Sequence, residues 1–343
     1  MDIIQLVRPN ILQLEAYSSA RAEFTGSASV YLDANENPYG SLNRYPDPVQ
    51  TALKAAISQW KGLATEQIFI GNGSDEIIDL CIRIFCRPGI DAVLSFTPSY
   101  GMYRVAADLN EVLHYTVPLN EQFQIDNDLL APYLEDEKLK IIFVCSPNNP
   151  TGNLLKGIEE LVEQFKGIIV VDEAYIDFAA TDSWINNLAQ YPNLLISQTL
   201  SKAGGLAGAR IGIAYGSPAM IGLLNKVKPP YNVSTLNQAA ALSAINAQET
   251  IAGQVAAILG ERNKLSTAFG NYPFVRQVFP SDANFILIRV DDASGLYDFL
   301  QEQGIIVRNR DKEIKGCLRI SVGTAAENQL LLDALSNYSN KNA

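Results

Sequence analysis

Histidine is almost missing from this chain: His114 is the single one among 343 residues, and there are only four cysteines and two tryptophans. With one imidazole and no Cys-x-x-Cys pair, a zinc centre has too few ligands to draw on. Cys81, Cys86, Cys145 and Cys317 are scattered in apolar contexts. They do not form a disulfide framework and read as buried thiols of a reducing compartment. Positive charge is also short. The 26 basic against 37 acidic residues leave a net charge of -11, which argues against nucleic-acid binding as a main task but not against a local anion site. No apolar run reaches the ~20 residues needed to cross a bilayer, so no membrane partner is expected. The start, Met1-Asp2-Ile3-Ile4, has neither the basic lead nor the apolar centre of a signal peptide. The expected location is cytoplasmic. His114, within the apolar run Val112–Tyr115, reads as structural.

What is present suits a globular protein with a sizeable core: 48% of residues are hydrophobic and 18% charged. The length suggests one large unit and one smaller one. From about 46 to 250, short apolar runs alternate with helical stretches. Gln67–Gly71, Ala92–Phe96, Ile141–Cys145, Ile168–Val171, Leu194–Ser197 and Ile211–Tyr215 read as strands. Ile77, Leu80, Cys81, Ile84 and Phe85 make one apolar helix face. That pattern predicts an α/β fold with a mostly parallel, doubly covered sheet. Ligands of such sheets bind at the carboxyl ends of the strands, and the polar clusters of this chain follow those ends. After about 250 a long helix near Thr250–Phe269 precedes strands at Asn284–Val290, Gly304–Val307 and Cys317–Val322, with a helix near Ser294–Gln303. This predicts a large domain over 46–250 and a smaller α+β domain over 251–343, completed by the arm 1–45.

Thr199-Leu200-Ser201-Lys202, with Arg210 eight residues on, is the most telling cluster. A lysine just past an apolar strand, flanked by hydroxyls and small residues, can reach a buried carbonyl and form a Schiff base. The hydroxyls and the arginine suit a phosphate beside it. Taken alone, the same residues also describe a strand end with a solvated lysine. Gly71–Glu76 follows a strand and opens a helix, an anion cradle with Ser74 as helix cap or else an ordinary turn. It lacks the lysine of a nucleotide P-loop. Ser146–Gly152 is a rigid turn able to aim an asparagine amide inward. Asp172 ends an apolar strand, where a carboxylate needs a cationic partner such as a protonated ring nitrogen. Tyr175 could hydrogen-bond a ring oxygen. Tyr100 could lie flat on an aromatic ring, whereas Tyr103 reads as a core aromatic.

Together these motifs resemble the fold-type I, pyridoxal phosphate (PLP) dependent aminotransferases. Leu32–Pro38, Arg44-Tyr45-Pro46, Gly73–Glu76, Pro98–Tyr103, Ser146–Gly152, Asp172–Tyr175, Thr199–Lys202 with Arg210, and Leu318–Thr324 occur in that family's order. The resemblance covers nearly the whole chain and is strongest to the branch whose members work on histidinol phosphate. It implies that Lys202 carries the cofactor and moves the substrate proton. It further implies that Asp172 pairs with the ring nitrogen, that Tyr175 and Asn149 meet the ring oxygen, and that Tyr100 stacks on the ring. Ser74, Asp75, Thr199, Ser201 and Arg210 would hold the phosphate. Tyr45 would serve a neighbouring subunit, which implies a homodimer. Arg308, Arg319, Tyr17 and Asn149 would bind the substrate. The implied reaction joins histidinol phosphate and imidazole acetol phosphate to glutamate and 2-oxoglutarate. An aromatic aminotransferase or a phospho-amino-acid decarboxylase is the alternative. One departure stands out: the family has an aromatic where this chain has Gly204, followed by Gly205.

Overall fold

A computed structural model describes residues 2–16, 26 and 28–341. Seven strands form the larger sheet: β1 Ile68–Asn72, β2 Ala92–Thr97, β3 Leu113–Pro118, β4 Leu139–Cys145, β5 Ile168–Asp172, β6 Leu194–Thr199 and β7 Ile211–Tyr215. Their order is β1-β7-β6-β5-β4-β2-β3. The central strands are rich in Ile and Val and buried on both faces, as expected of parallel strands covered twice. Alternate residues feed two apolar layers. Ile142, Ile169 and Val171 join Leu53, Ile57 and Leu161 on one face. Ile141, Ile168 and Val170 join Ile77, Cys81 and Phe85 on the other.

The sheet is parallel except at β7, which runs against both neighbours. The reason lies in the connection. Only the segment 200–210 separates β6 from β7, too little for the helical crossover that a parallel return needs. The chain therefore turns back at once, and the turn is the segment that carries Lys202. Because β7 also pairs antiparallel with β1, Asn72 sits opposite Ile211. The helix start after β1 is thereby brought level with the Lys202 loop and with the carboxyl ends of β4, β5 and β6.

Four antiparallel strands form the second sheet: β8 Val275–Val278, β9 Phe285–Val290, β10 Arg308–Asn309 and β11 Cys317–Ser321, in the order β10-β11-β9-β8. Period-two alternation splits its faces. Ile286, Ile288, Leu318 and Ile320 pack under the helices Gln248–Phe269, Ala293–Glu302 and Ala325–Lys341. Arg319 is on the other face, toward the large sheet. The two parts are pinned together near the cleft. Asp282 N–H donates to Gly152 O at 2.7 Å, Arg262 Nη1 donates to Phe178 O at 3.3 Å, and Tyr175 meets Phe285 edge-on at 5.1 Å.

Two expectations are corrected. Gly304–Val307 is not a strand. Gly304 has φ +75°, and Ile305 N–H bonds Leu300 O at 2.8 Å, so these residues close the preceding helix by a glycine C-cap and pairing begins only at Arg308. The long helix expected near Thr250–Phe269 is present and spans Gln248–Phe269. Part of the N-terminal arm belongs with the large sheet, since Ile3, Val7 and Ile11 pack in the layer with Ile77 and Ile84.

Candidate active site

β5 delivers Asp172 between Cys145 of β4 and Ser197 of β6. Its side chain is 3% exposed. Oδ2 accepts from the Tyr103 hydroxyl at 2.8 Å and Oδ1 from Ala174 N–H at 3.2 Å. Neither donor is a cation. Burial lifts the carboxyl to about 6, and the two hydrogen bonds and Lys202 offset only part of the cost. Tyr103 is fully buried and stacks on Phe143 at 4.8 Å. Burial, and then Asp172, raise its phenol, so it keeps its proton and remains a donor.

The turn after β4 aims Asn149 the same way. Asn148 braces it, with Nδ2 donating to Thr151 Oγ1 at 2.8 Å and Pro98 O at 3.0 Å, while Oδ1 accepts from Ser99 Oγ at 2.9 Å. Asn149 Nδ2 donates to the Tyr175 hydroxyl at 3.3 Å, and its Oδ1 accepts from Arg319 Nη1. Burial raises the Tyr175 phenol as well, which leaves its proton available to a ligand oxygen.

Beyond β6, the Thr199 hydroxyl donates to Ile211 O at 2.9 Å and accepts from Ser201 N–H at 3.1 Å. Thr199 thus shapes the loop with a hydroxyl already engaged, where the sequence suggested a phosphate contact. Lys202 Nζ lies 5.4 Å from the centre of the Tyr175 ring. Its side chain opens to the cleft, yet the protein around it removes water. That desolvation, with the positive charge of Arg319 next, lowers its pKa. A lysine held that way spends more time as the neutral amine, the form that attacks carbonyls and takes protons. A Cβ at Gly204 would sit 2.8 Å from Leu200 O, so the loop as folded here has no room for the family's aromatic.

The helix Ser74–Phe85 begins at Gly73, which has φ +81° and is the cap; Ser74 is the first helical residue, not the cap that the sequence suggested. A Cβ at Gly73 would lie 2.6 Å from Arg210 Nη2, and one at Gly212 would lie 2.4 Å from the Gly73 carbonyl carbon. Both glycines therefore let Arg210 close on the helix start, where the first-turn N–H groups lack helical acceptors. Arg210 also pairs with Asp75 at 3.4 Å, and the Tyr100 hydroxyl donates to Asp75 Oδ1 at 3.0 Å.

These groups share one cleft of about 570 Å³, walled opposite by Arg308, Arg310, Glu313 and Arg319. Arg308 faces Arg319 across the ladder. Arg319 lies over Phe285 at 5.2 Å, and burial lowers its pKa. Arg310 pairs with Glu313 at 3.2 Å. Among the described residues, the buried Nε atoms of Arg310 and Arg319 have no partner. Five cationic and three carboxylate side chains line the cleft, so it carries a local positive excess in a chain of net charge -11. That suits a ligand with more than one negative charge.

A lysine, a buried carboxylate and a helix-start cradle at one end of the large sheet are matched by what the chain resembles. The family model described as aminotransferase class I and II spans residues 21–335. The chain belongs to this family. It is 51% identical over 341 residues to the histidinol-phosphate aminotransferase of Parabacteroides distasonis, covering 98% of this chain and 99% of that protein. The solved histidinol-phosphate aminotransferase of Clostridium acetobutylicum superposes with a TM-score of 0.80 at 26% identity, over 88% of this chain and 92% of that one. That of Sinorhizobium meliloti, solved in complex with pyridoxal 5'-phosphate, gives 0.79 at 25% identity over 90% of each chain.

In this aminotransferase the cleft gathers Ser74, Asp75, Tyr100, Asn149, Asp172, Tyr175, Thr199, Ser201, Lys202, Arg210, Arg308 and Arg319. Tyr45 is elsewhere. It is half exposed, stacks on Tyr231 at 4.4 Å and lines a separate hollow of about 370 Å³ with Asn35 and Leu236. Tyr17 lies outside the described residues. Sequence reasoning missed Arg310 and Glu313. It also placed Tyr103 only in the core, where its ring is, without the bond that its hydroxyl makes to Asp172.

Proposed function

We propose that this aminotransferase uses pyridoxal 5'-phosphate, held in the cleft, to transfer an amino group between histidinol phosphate and 2-oxoglutarate, a step of histidine biosynthesis. The observation that carries the reading is the lowered amine of Lys202 in one cleft with a fully buried carboxylate whose hydrogen-bond donors are uncharged. The residues fit the cofactor. Asp172 needs a cation, and a protonated ring nitrogen is one; pairing would restore the carboxylate's charge. Gly73 and Gly212 leave a cradle that a side chain would fill. When bound, PLP supplies a carbonyl carbon to carry the amino group and a ring to accept electrons as the substrate C–H bond breaks.

The chain's own groups supply the rest. Lys202 Nζ is the attachment point and the base that takes and returns the proton at the substrate carbon. Asp172, steadied by Tyr103, holds the ring nitrogen protonated. Tyr175 and Asn149 would hold the ring oxygen, and Tyr100 would offer its ring as a stacking face. Ser74 and Asp75 N–H groups, Ser201 and Arg210 hold the phosphate, with Thr199 fixing the loop. Arg308 and Arg319 grip the acidic end of the substrate with guanidinium forks that suit carboxylate and phosphate alike. Tyr17 is assigned to closing over the substrate by family resemblance. Tyr45, exposed and outside this chain's cleft, serves the site of a second copy, so the working form is a homodimer. Residues 46–250 form the cofactor-holding domain, and 251–341 the smaller one that brings the arginines. We place the enzyme in the cytoplasm.

Purified enzyme with PLP, histidinol phosphate and 2-oxoglutarate should form glutamate in step with histidinol phosphate consumed. Release of carbon dioxide from a phosphorylated amino acid without glutamate formation would assign a decarboxylase instead. Equal turnover of phenylalanine would assign an aromatic aminotransferase.

A further inference from the structure

We infer that Arg310, held by Glu313, makes the cleft favour a substrate ending in a phosphate dianion over one ending in a carboxylate. The inference rests on the function proposed above and extends it to a residue that neither the motifs nor the family resemblance assigned. Its placement follows from strand geometry. Arg310 stands two residues beyond Arg308, and its N–H bonds Cys317 O at 3.0 Å, which continues the pairing of Arg308 with Arg319 by one step. Period-two alternation puts Arg308, Arg310 and Arg319 on one face of the small sheet, and all three line the cleft.

Its state indicates a ligand. The Arg310 side chain is only 10% exposed, and its one ion pair among the described residues is a single contact of 3.2 Å to Glu313, which is itself 47% exposed. A buried guanidinium needs its donors satisfied, yet its Nε has no partner among the described residues. Burial is the main force lowering its pKa, and the neighbouring Arg319 and Arg308 add to it against Glu313. An anion arriving here would relieve all of these at once.

The chemistry of the two substrates then separates the arginines. A carboxylate offers two oxygens and one charge, which the forks of Arg308 and Arg319 can satisfy. A phosphate monoester offers three free oxygens and up to two charges. A third guanidinium gains a partner only from the phosphate. Because the same cleft must bind glutamate and a phosphorylated amine in turn, Arg310 can raise affinity for one with little effect on the other.

The test is to measure the two half-reactions separately, by cofactor absorbance in single turnovers, with Arg310→Gln and Arg310→Lys. Binding of inorganic phosphate and of succinate to the same holoenzymes is measured alongside. In Arg310→Gln, kcat/KM for histidinol phosphate should fall roughly 10–100-fold, the loss of one charge-assisted contact, and inorganic phosphate should weaken similarly. Glutamate and succinate should change by less than about threefold. Arg310→Lys should recover part of the phosphate effect. Arg276→Gln, a surface partner of Asp291, is the control and should move neither. Equal losses for both substrates, or unweakened binding of inorganic phosphate, would overturn the inference. If wild-type enzyme fails to turn over histidinol phosphate, the function proposed above falls, while the contrast between phosphate and succinate still decides the role of Arg310.

Discussion

On the large-sheet wall of the cleft, Asp172, Tyr103, Asn149 and Tyr175 are buried and bonded in pairs, Tyr103 to Asp172 and Asn149 to Tyr175. On the small-sheet wall, Arg310 and Arg319 keep buried Nε atoms without a partner among the described residues, and Arg308 stands exposed. The first wall has its hydrogen bonds in place and lacks only a cation for Asp172, and preorganised groups of that kind set which chemistry is possible. The second is under-satisfied, and in the proposed function its desolvated cations would gain their counter-charges from substrate. The comparison teaches a division of labour. In the function proposed above, strand ends of the parallel sheet fix the reaction, and the arginine face of the antiparallel sheet fixes what is reacted.

Substitutions can break that division at graded cost. Lys202→Ala should lower transfer at least about a thousandfold with the circular dichroism spectrum unchanged; full turnover in this variant would remove Lys202 from its role. Asp172→Asn should lower transfer by about a hundredfold or more and also change how stability varies with pH. The carboxyl of Asp172 is raised when folded, to about 6. Its contribution is therefore fully present below the unfolded value near 4 and lost as pH rises through 6, a change of roughly 3 kcal/mol. Denaturation of cofactor-free protein should show that decline in wild type and lack it in Asp172→Asn. Superimposable profiles would contradict the burial account.

Crossing to the other wall, Arg319→Lys keeps a charge but loses the fork that reaches Asn149. Catalytic efficiency should fall roughly 10–100-fold for both substrates, measured by steady-state kinetics. A loss confined to the phosphorylated substrate would instead give Arg319 the task assigned to Arg310. Tyr103→Phe removes only the donor behind Asp172. It should weaken cofactor binding by about tenfold or less, read by titration of apoenzyme with PLP.

The large-sheet wall was legible in the sequence because its residues follow shortly after apolar strand runs. Ile168–Val171 predicts a strand, and a carboxylate at its end is conspicuous. The Lys202 loop stands out for the same reason. Tyr103 was half legible. Its apolar neighbours place the ring, but the hydroxyl's partner is 69 residues away in sequence, and no local pattern reports that. The reversal of β7 had a signal in the short connection between Thr199 and Ile211. Arg310 was obscured because Ile305-Ile306-Val307 looks like a strand and drew the expected pairing too early. Once Gly304 is understood as a helix cap, the alternation from Arg308 to Arg310 becomes readable. The packing of Ile3, Val7 and Ile11 on the large sheet had no such signal, since a short amphipathic arm fits either domain.

The most direct test of the central claim is the absorbance of the PLP-loaded enzyme on adding one substrate at a time, without acceptor. The account predicts that glutamate and histidinol phosphate each convert the cofactor to its aminated form, with phenylalanine far slower. No conversion by either of the first two, or conversion by phenylalanine at a matching rate, would contradict it.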